Sequence, residues 1–339
     1  MSWRVATRFF LAVTSLVACS DAAAPDQPPN SSDASVEKDA GGDATPLADA
    51  GRDVAPDASS SAGVFVAVGY GGRTVRSIDD GQSWIDDKSL VANGGDDPYL
   101  LRTAAWAGTQ FVALGWRRMT SPDGKTWIDH GPIKGTNWFG SVLWEQQKFV
   151  AVGGYGMKVT SPDGASWTDH AIDTGASHAW DGLAFGGSSY ATTNDEGARA
   201  YSSDGMTWKP STGSTVKSTD MAFGNGTFIA LGGTAVLSST DGVTFQSAAT
   251  LPDAAEGLVF AQGHFTAFGV DHVFTSPDGV QWTDHASKGD HRGAVAFGHG
   301  TYVRVGSGGR ARSTDAITWS APVGDGPSNG LVMLTFGTP

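Results

Sequence analysis

The stretch SPDGKTWIDH, from Ser121 to His130, decides the fold because it returns almost unchanged further along the chain. It recurs as SPDGASWTDH from Ser161 and as SPDGVQWTDH from Ser276. A Ser, an Asp and a Trp within seven residues would suit a catalytic site. A motif repeated at a regular period instead predicts a repeat architecture, in which the motif has a structural role.

Seven copies of this marker, Ser-x-Asp followed by Gly and an aromatic residue, occur between Gly63 and Pro339. Successive copies are 37 to 44 residues apart. The fifth copy has Phe245 in place of Trp, and the seventh has Ala316 in place of Gly. The repeated aspartates are Asp79, Asp123, Asp163, Asp204, Asp241, Asp278 and Asp315.

Two strand-like phrases precede each marker, as in AFGNGTFIALG from Ala222 to Gly232, where apolar residues flank an Asn-Gly turn. A third strand runs into the marker, and a fourth begins at its aromatic residue. Four short antiparallel strands in a unit of about forty residues predict a blade of a β-propeller.

The two ends of the repeat region each hold an incomplete unit. The first unit starts at Phe65 with its second strand, and the chain finishes on GLVMLTFG, an apolar first strand from Gly330 to Gly337. Pairing these ends would close the ring and leave no exposed sheet edge. The prediction is an all-β fold, a seven-bladed β-propeller of four-stranded antiparallel blades spanning residues 63–339 and closed by the C-terminal strand.

Each residue of the marker has a predicted structural role. Ser-Pro-Asp-Gly fits a type I turn, in which Pro fixes φ and Gly supplies the left-handed conformation that follows. The Asp carboxylate can accept backbone N–H groups of the turn, and the aromatic ring can be buried beside it. An Ala in the left-handed position, as at Ala316, costs about 1 to 2 kcal/mol.

The seven markers resemble the Asp-box repeat, also called the bacterial neuraminidase repeat, of sialidases and many other propellers. The resemblance implies that the marker lies between the third and fourth strands, on the face opposite an active site, and that its aspartates are structural. A sialidase of this family would also have an arginine triad, whose first arginine an Arg-Ile-Pro motif normally marks, a Tyr activated by a Glu, and an acidic proton donor. No Arg-Ile-Pro occurs, and the repeat region has only Glu145, Glu196 and Glu256. Propellers that assist membrane-protein assembly resemble the same repeat.

The N-terminal residues have the features of an export signal. Arg4 and Arg8 precede an apolar run that is too short to span a bilayer, so residues 1–18 are predicted to be a signal peptide. The sequence LVAC ending at Cys19, the only cysteine, resembles the lipobox of bacterial lipoproteins. This resemblance implies lipid attachment at Cys19 and a location in the cell envelope, on the extracytoplasmic side of a membrane.

Residues 19–62 are predicted to form a disordered tether, because from Ser20 onward they have no aromatic residue and carry nine acidic against two basic residues. Of the net charge of −13, the region from Gly63 onward carries −8, from 18 basic and 26 acidic residues. This acidic balance argues against nucleic-acid binding, which needs a basic surface. It equally disfavours docking on anionic lipid, so the predicted membrane contact is through the lipid alone.

The variable loops opposite the markers are the predicted ligand-binding face. Aromatic and guanidinium groups there suit a protein or a carbohydrate ligand. The candidate residues are Arg73, Trp116, Arg117, Arg118, Trp138, Tyr155, His178, Trp180, Asp181, Asp271, His272, His291, Arg292 and Arg310. The preferred hypothesis is a monomeric binding or assembly module without a cofactor or a metal.

The alternative hypothesis is a glycoside hydrolase, sialidase-like or other, with its site on the same loops. Such enzymes need two carboxylates facing one bond, and the loops supply several acids. These are Asp181, Asp195, Glu196, Asp220, Glu256 and Asp271.

A metal site at the repeated Asp-His pairs is not predicted. Each pair, Asp129-His130, Asp169-His170 and Asp284-His285, falls on the outermost strand of a different unit, and adjacent strand residues point to opposite faces.

Overall fold

The structure, a computed structural model, describes residues 63–92, 94, 98–132, 137–170, 179–194, 196–306, 309–324 and 330–339. These residues belong to one compact unit, Asp57–Pro339. The predicted signal peptide, the tether, the lipid attachment at Cys19 and the candidate His178 lie outside the described residues.

The described strands form six sheets. The first contains β1 (Val64–Gly69), β2 (Thr74–Ser77), β3 (Ile85–Lys88) and the C-terminal strand β25 (Leu331–Gly337). The second contains β4 (Leu101–Trp106), β5 (Phe111–Gly115), β6 (Arg117–Ser121) and β7 (Ile128–Pro132). The third contains β8 (Phe139–Glu145), β9 (Lys148–Gly153), β10 (Lys158–Ser161) and β11 (Thr168–Asp169).

The fourth sheet contains β12 (Trp180–Gly186), β13 (Ser189–Asn194), β14 (Arg199–Ser202) and β15 (Lys209–Pro210). The fifth contains β16 (Thr212–Gly213), β17 (Asp220–Gly224), β18 (Thr227–Ser239), β19 (Thr244–Ala261), β20 (His264–Ser276) and β21 (Thr283–Asp290). The sixth contains β22 (Ala294–Gly298), β23 (Thr301–Val305) and β24 (Ala311–Ser313). Two single 3-10 turns, Tyr70–Gly72 and Gly154–Gly156, are the only helical segments within the described ranges.

The C-terminal strand completes the first sheet, as the sequence predicted. β25 pairs antiparallel with β1, with Phe65 opposite Phe336 and Val66 opposite Thr335. The rings of Phe65 and Phe336 pack with their centroids 4.8 Å apart. The innermost strands contact each other around the ring, β25 with β4, β4 with β8, β8 with β12, β12 with β17, β17 with β19, β19 with β22, and β22 with β25. The predicted β-propeller is therefore confirmed.

The predicted number of blades is wrong, because the propeller has six blades and not seven. The fifth and sixth repeat units share one sheet. The cause is β19, an 18-residue strand that pairs with β18 through its first half and with β20 through its second. The sequence favoured a break between these units, but the chain from Thr244 to Ala261 stays extended through that point. Six sheets therefore carry the seven markers.

The core lies between neighbouring sheets and is built from the second strand of each unit. In β1 the residues Phe65, Val66, Ala67 and Val68 are all fully buried. Strands β5 and β9 each likewise have five buried residues in succession. Both faces of these strands are covered because each sheet packs against two neighbours, so the strands are continuously apolar rather than alternating.

The marker turns are held by one hydrogen-bond pattern, which the copy at Ser161 illustrates. The Ser161 hydroxyl donates to Asp163 Oδ1 (3.0 Å), which also accepts the backbone N–H groups of Ala165 and Ser166 (2.9 and 2.8 Å). The Trp167 indole N–H donates to the carbonyl of Gly164 at 2.9 Å. The Ser-to-Asp bond recurs in all seven copies. The turn thus satisfies backbone groups that would otherwise lack partners.

Long basic side chains join consecutive repeat units. Lys158, on the third strand of its unit, lies 5.5 Å from the ring of Trp208 in the next marker. In the same arrangement Arg199 lies 5.4 Å from the ring of Phe245. Arg310 lies 5.5 Å from the ring of Trp84, across the closure of the ring. Cation–π contacts of this kind are strengthened where water is excluded, so these side chains contribute to the contact between units.

Candidate functional site

The chain path gives the propeller two faces. We call the face that bears the markers the turn face. The other, the link face, carries the turns between the second and third strands and the links from each outermost strand to the next unit. The 3-10 turns Tyr70–Gly72 and Gly154–Gly156 lie on the link face. The predicted ligand-binding residues in the described ranges belong to the turns and links of this face or to the strand ends beside them.

Three of the candidate arginines form ion pairs close to their own strands. Arg73 donates from Nε and Nη2 to the Asp86 carboxylate, at 2.7 and 3.2 Å. Arg117 binds Asp129 with a shortest distance of 2.6 Å. Arg292 binds Asp290 through two 2.9 Å bonds. Paired guanidinium groups are fixed in direction but carry little uncompensated charge.

His272 and Asp271 are placed at a tight turn of the link face. His272 Nδ1 lies 2.8 Å from Asp284, and the hydrogen bond to this carboxylate raises the pKa of the imidazole. The His272 ring also stacks on Phe274 with the centroids 5.7 Å apart. Asp271 has a φ of 59° and accepts the backbone N–H of Gly289 at 2.7 Å. Both side chains therefore hold the turn in shape.

Other candidates are partly or wholly removed from solvent. Trp180, expected to be exposed, is fully buried at the start of β12, with Lys158 Nζ 3.7 Å from its ring centroid. His291 is 3% exposed. Arg118 donates to the carbonyls of Ala165 and His130 at 2.9 and 2.8 Å. Arg310, besides contacting Trp84, donates to the carbonyl of Gly324 at 3.2 Å.

Two of the remaining candidates, Trp138 and Tyr155, belong to a patch over the second and third sheets. Arg102 lies 4.4 Å from the ring centroid of Trp138. Trp138 packs on the Gly154–Gly156 turn, because a Cβ on Gly154 would be 2.7 Å from its indole nitrogen. At the tip of this turn Tyr155 is 55% exposed, with a φ of 51°. We call Tyr99, Arg102, Arg117, Trp138 and Tyr155 the aromatic surface.

Further residues lie at two edges of the aromatic surface. Arg117 lies 5.1 Å from the ring centroid of Tyr99, so its guanidinium has an aromatic contact besides the Asp129 pair. Trp116, partly exposed, adjoins Arg117 and donates its backbone N–H to the carbonyl of Leu100 at 3.0 Å. On the other side Asp181 lies beside Trp138, since a Cβ on Gly140 would be 3.2 Å from both side chains.

Sequence reasoning missed Tyr99 and Arg102. Both lie where the link from β3 enters β4, a segment that has no motif of its own. The one feature of the sequence that could have identified them as site residues is their position at the predicted first strand of the second unit.

The Asp-His pairs are held apart by the sheets. His130, His170 and His285 each place Nε2 2.7 to 2.8 Å from a Thr hydroxyl on the neighbouring strand of the same sheet. Among the described residues no group of three His, Cys, Asp or Glu side chains is arranged to hold a metal ion. Nor does any helix in the described part of the chain have the length and apolar character needed to cross a membrane.

Burial raises the pKa of two carboxyl groups, Glu145 and Asp87. Glu145 ends β8 on the turn face, where its carbonyl accepts the Tyr190 hydroxyl at 3.2 Å. Asp87 is paired with Arg76 at 3.0 Å. A hydrolase of the two-carboxylate kind needs one carboxyl group that keeps its proton at neutral pH. These two groups belong to other parts of the fold than the aromatic surface.

No family model matches the chain, and no curated protein matches it. A solved structure of YCF48 bound to a D1 peptide is similar, with 18% identity over 65% of this chain and 76% of that chain and a TM-score of 0.52. A chain of a nidogen/laminin complex is 10% identical over 81% and 98% of the two chains, with a TM-score of 0.51. Virginiamycin B lyase from Staphylococcus aureus is 8% identical over 68% and 87%, with a TM-score of 0.58. At these identities the likeness shows the β-propeller fold alone.

Proposed function

We propose that the protein is a binding module that holds a polypeptide partner against the aromatic surface of its link face and has no chemistry of its own. The observation that carries the proposal is the arrangement of Arg102, Trp138 and Tyr155. The Arg102 guanidinium lies 4.4 Å from the ring centroid of Trp138, and Trp138 packs on the turn whose tip is Tyr155, which is 55% exposed. Trp, Tyr and Arg are the residues that contribute most to protein–protein binding.

The geometry of the surface suits a preformed binding site. Trp138 is packed against the backbone of the Gly154–Gly156 turn, and Arg117 is fixed by Asp129 at 2.6 Å. Side chains that are already ordered lose little conformational entropy when a partner binds. The solved β-propellers of YCF48 and of the nidogen/laminin complex also occur with polypeptide partners, which supports a protein ligand.

We further propose that the seven marker turns are Asp boxes and that the propeller is displayed outside the cytoplasm. The Ser-to-Asp and indole-to-carbonyl hydrogen bonds of the turns support the first statement. The second rests on the charged and apolar start of the chain and on the lipobox-like residues before Cys19. A lipid at Cys19 would keep the binding face attached to a membrane through the residues 20–62.

A peptide-display selection on the full chain tests the function. Selected peptides are expected to bind the wild-type protein and to bind Tyr155→Ala and Trp138→Ala at least about tenfold more weakly, since each variant removes a central aromatic contact. Lys209→Ala, exposed on β15 in another sheet, is the matched control and should bind as the wild type does.

A glycan array run in parallel separates the ligand classes. Exposed rings such as Tyr155 can also stack on a sugar face, so glycan binding that is lost in Tyr155→Ala would replace the protein ligand by a carbohydrate. Peptides that bind Tyr155→Ala and Trp138→Ala as tightly as the wild type would show that the aromatic surface is not the binding site.

A further inference from the structure

A cavity lies away from the aromatic surface, between β21 and the residues that follow β24. It has a volume of about 470 Å³ and is lined by residues 286–291, by residues 317–322 and by Arg304. The cavity exists because the sixth sheet has three strands. Beyond β24 the described residues form no regular strand. They are held by the Arg310–Val323 bridge, by a 2.9 Å bond from Ser320 N–H to the Arg312 carbonyl, and by the Ser287 hydroxyl of β21, which donates to the Ile317 carbonyl at 2.9 Å. No fourth strand therefore fills the space beside β21.

Arg304, in the wall of this cavity, is a cation at a position where the other repeat units have small residues. It lies opposite Ala311 in the register of β23 and β24, two residues after Tyr302. The six matching positions on the other second strands are all fully buried. They are Ala67, Ala113, Ala151, Thr192, Ala230 and Ala267. The repeat fold therefore does not need a long side chain here.

Two of the three guanidinium nitrogens of Arg304 lack the hydrogen bonds that would offset their burial. Arg304 is 3% exposed, and its Nε and Nη1 have no hydrogen-bond partner within the described residues. Its one ring contact is with Trp319, at 5.6 Å from the centroid. A buried charge without hydrogen bonds is strongly unfavourable. Burial accordingly lowers the pKa of Arg304.

His291 adds a second polar atom to the same wall. It is 3% exposed, and its Nε2 lies 2.9 Å from the carbonyl of Ser287, which can only accept a hydrogen bond. Nε2 therefore carries the proton, and Nδ1 is left as an acceptor without a partner among the described residues. The Asp290 carboxylate cannot donate to Nδ1. It is held to Arg292 by two 2.9 Å bonds, and its charge also acts on Arg304, whose pKa it raises against the effect of burial.

The rest of the wall combines apolar residues with polar ones such as Lys288 and Ser320. Trp319, Ile317 and Pro322 face β21 across the cavity. Small-molecule sites commonly have a volume of some hundreds of Å³ and combine an apolar surface with polar groups that fix the orientation of the ligand. Guanidinium groups favour carboxylates, and a Trp ring provides a flat apolar surface.

We propose that this cavity binds a small organic carboxylate, whose carboxylate group is held by Arg304 and whose apolar body packs against Trp319. The site is separate from the aromatic surface, so it can be occupied whether or not a polypeptide is bound there.

Calorimetric titration of the full chain with benzoate, phenylacetate and cyclohexanecarboxylate tests the proposal. At least one acid is expected to bind with a Kd below about 1 mM, and benzamide, the uncharged analogue of benzoate, should bind at least about tenfold more weakly. Arg304→Ala and the longer neutral Arg304→Met should each lose binding by about tenfold or more. Both variants should fold, because Ala occupies this position in five other units, and removal of the buried charge should raise the Tm of the ligand-free protein. Lys209→Ala, which removes one exposed positive charge in another sheet, should bind as the wild type does.

Several outcomes would overturn the proposal. Absence of binding by all three acids would mean that the cavity holds water only. Equal binding of benzamide and benzoate, or unchanged affinity in both Arg304 variants, would remove Arg304 as the anchor. Binding of inorganic phosphate in place of the acids would make the ligand class wrong. None of these results bears on peptide binding at Tyr155 and Trp138, so the two proposals fail separately.

Discussion

At the scale of single residues, Ala316 adopts the left-handed conformation that the marker Gly has in the other six copies. Its φ is 62° and it is fully buried. Ala316→Gly should stabilise the protein by about 1 kcal/mol, because the left-handed conformation costs Ala more than the added chain entropy costs Gly. The corresponding rise in Tm is roughly 2 to 4 °C for a chain of this size.

Gly279→Ala provides the contrasting variant for this measurement. A Cβ at Gly279 would lie 2.0 Å from Ile229 Cδ1, and its φ is 75°. This change should lower the Tm, since it adds both strain and overlap. A Tm of Ala316→Gly that is unchanged or lower than that of the wild type would contradict the role given to the left-handed position.

Lys158 makes the stability of the propeller depend on pH. The side chain is 1% exposed, and burial lowers its pKa from the ordinary 10.5 to about 7. The unfolded chain therefore binds more protons than the folded chain between about pH 7 and pH 10.5, so stability rises with pH across this interval. The Trp180 ring, 3.7 Å away, favours the ammonium form and limits the penalty.

Lys158→Met should raise the free energy of unfolding at pH 7 by about 1 kcal/mol or more, because an apolar side chain of similar length replaces a buried amine. The variant should also lose the contribution of Lys158 to the rise in stability above pH 7. Urea unfolding at pH 7 and pH 9.5 measures both effects. A wild type and a variant with the same pH dependence would show that Lys158 keeps its charge in the folded protein.

At the scale of strands and sheets, β19 joins two repeat units, and Gly257 lies at the point where its pairing changes. The register of β19 with β20 shifts between Ala255 and Leu258. Gly257 has a φ of 93°, and a Cβ there would lie 2.5 Å from the carbonyl oxygen of Gly293. The strand therefore remains continuous because a glycine allows a close approach to the sixth sheet.

Gly257→Ala should destabilise the protein by about 2 to 4 kcal/mol, from backbone strain and from the displacement of residue 293. Gly263→Ala is the matched control, because its φ is 81° but nothing lies within 4 Å of its added Cβ. The control should lose only about 1 kcal/mol, the strain alone. Equal losses in chemical denaturation would mean that the approach to Gly293 does not fix β19.

The sequence predicted the elements better than it predicted how they join. The four-strand unit, the marker turns and the pairing of β25 with β1 follow from local patterns that recur in each copy. The blade number was wrong because the continuity of β19 depends on a contact between Gly257 and Gly293, which are far apart in sequence. In the candidate site, Trp138 and Tyr155 were chosen from their types and loop positions. The burial of Trp180 and the role of Arg304 depend on neighbouring sheets, which local patterns do not show.

At the scale of the whole molecule, the ring closes through contacts between the first and last strands. Leu331 and Leu334 of β25 pack in one core cluster with Phe65 and Ala67 of β1 and Val303 of β23. Without β25, β1 becomes an unpaired apolar edge strand, and the two neighbouring sheets lose the buried side chains that β25 contributes to their shared core.

Deletion of residues 330–339 should lower the Tm by about 10 °C or more, since several buried apolar side chains are lost together. The deleted chain should also aggregate, as judged by light scattering. A synthetic peptide of residues 330–339 is expected to restore part of the Tm, whereas a peptide of the same composition in scrambled order should not. A deleted chain that unfolds like the wild type would contradict closure by β25.

The pairing of β1 with β25 also sets the order in which the protein can mature. Residues 64–69 leave the ribosome early, yet their hydrogen-bonding partner, residues 331–337, is made some 260 residues later. The ring therefore stays open until the final segment of the chain has been synthesised. A chain truncated by a nonsense codon or by a protease cannot pair β25 with β1. Its β1 keeps an unpaired apolar edge that we expect the degradation machinery to recognise. Closure of the ring would then distinguish complete chains from truncated ones.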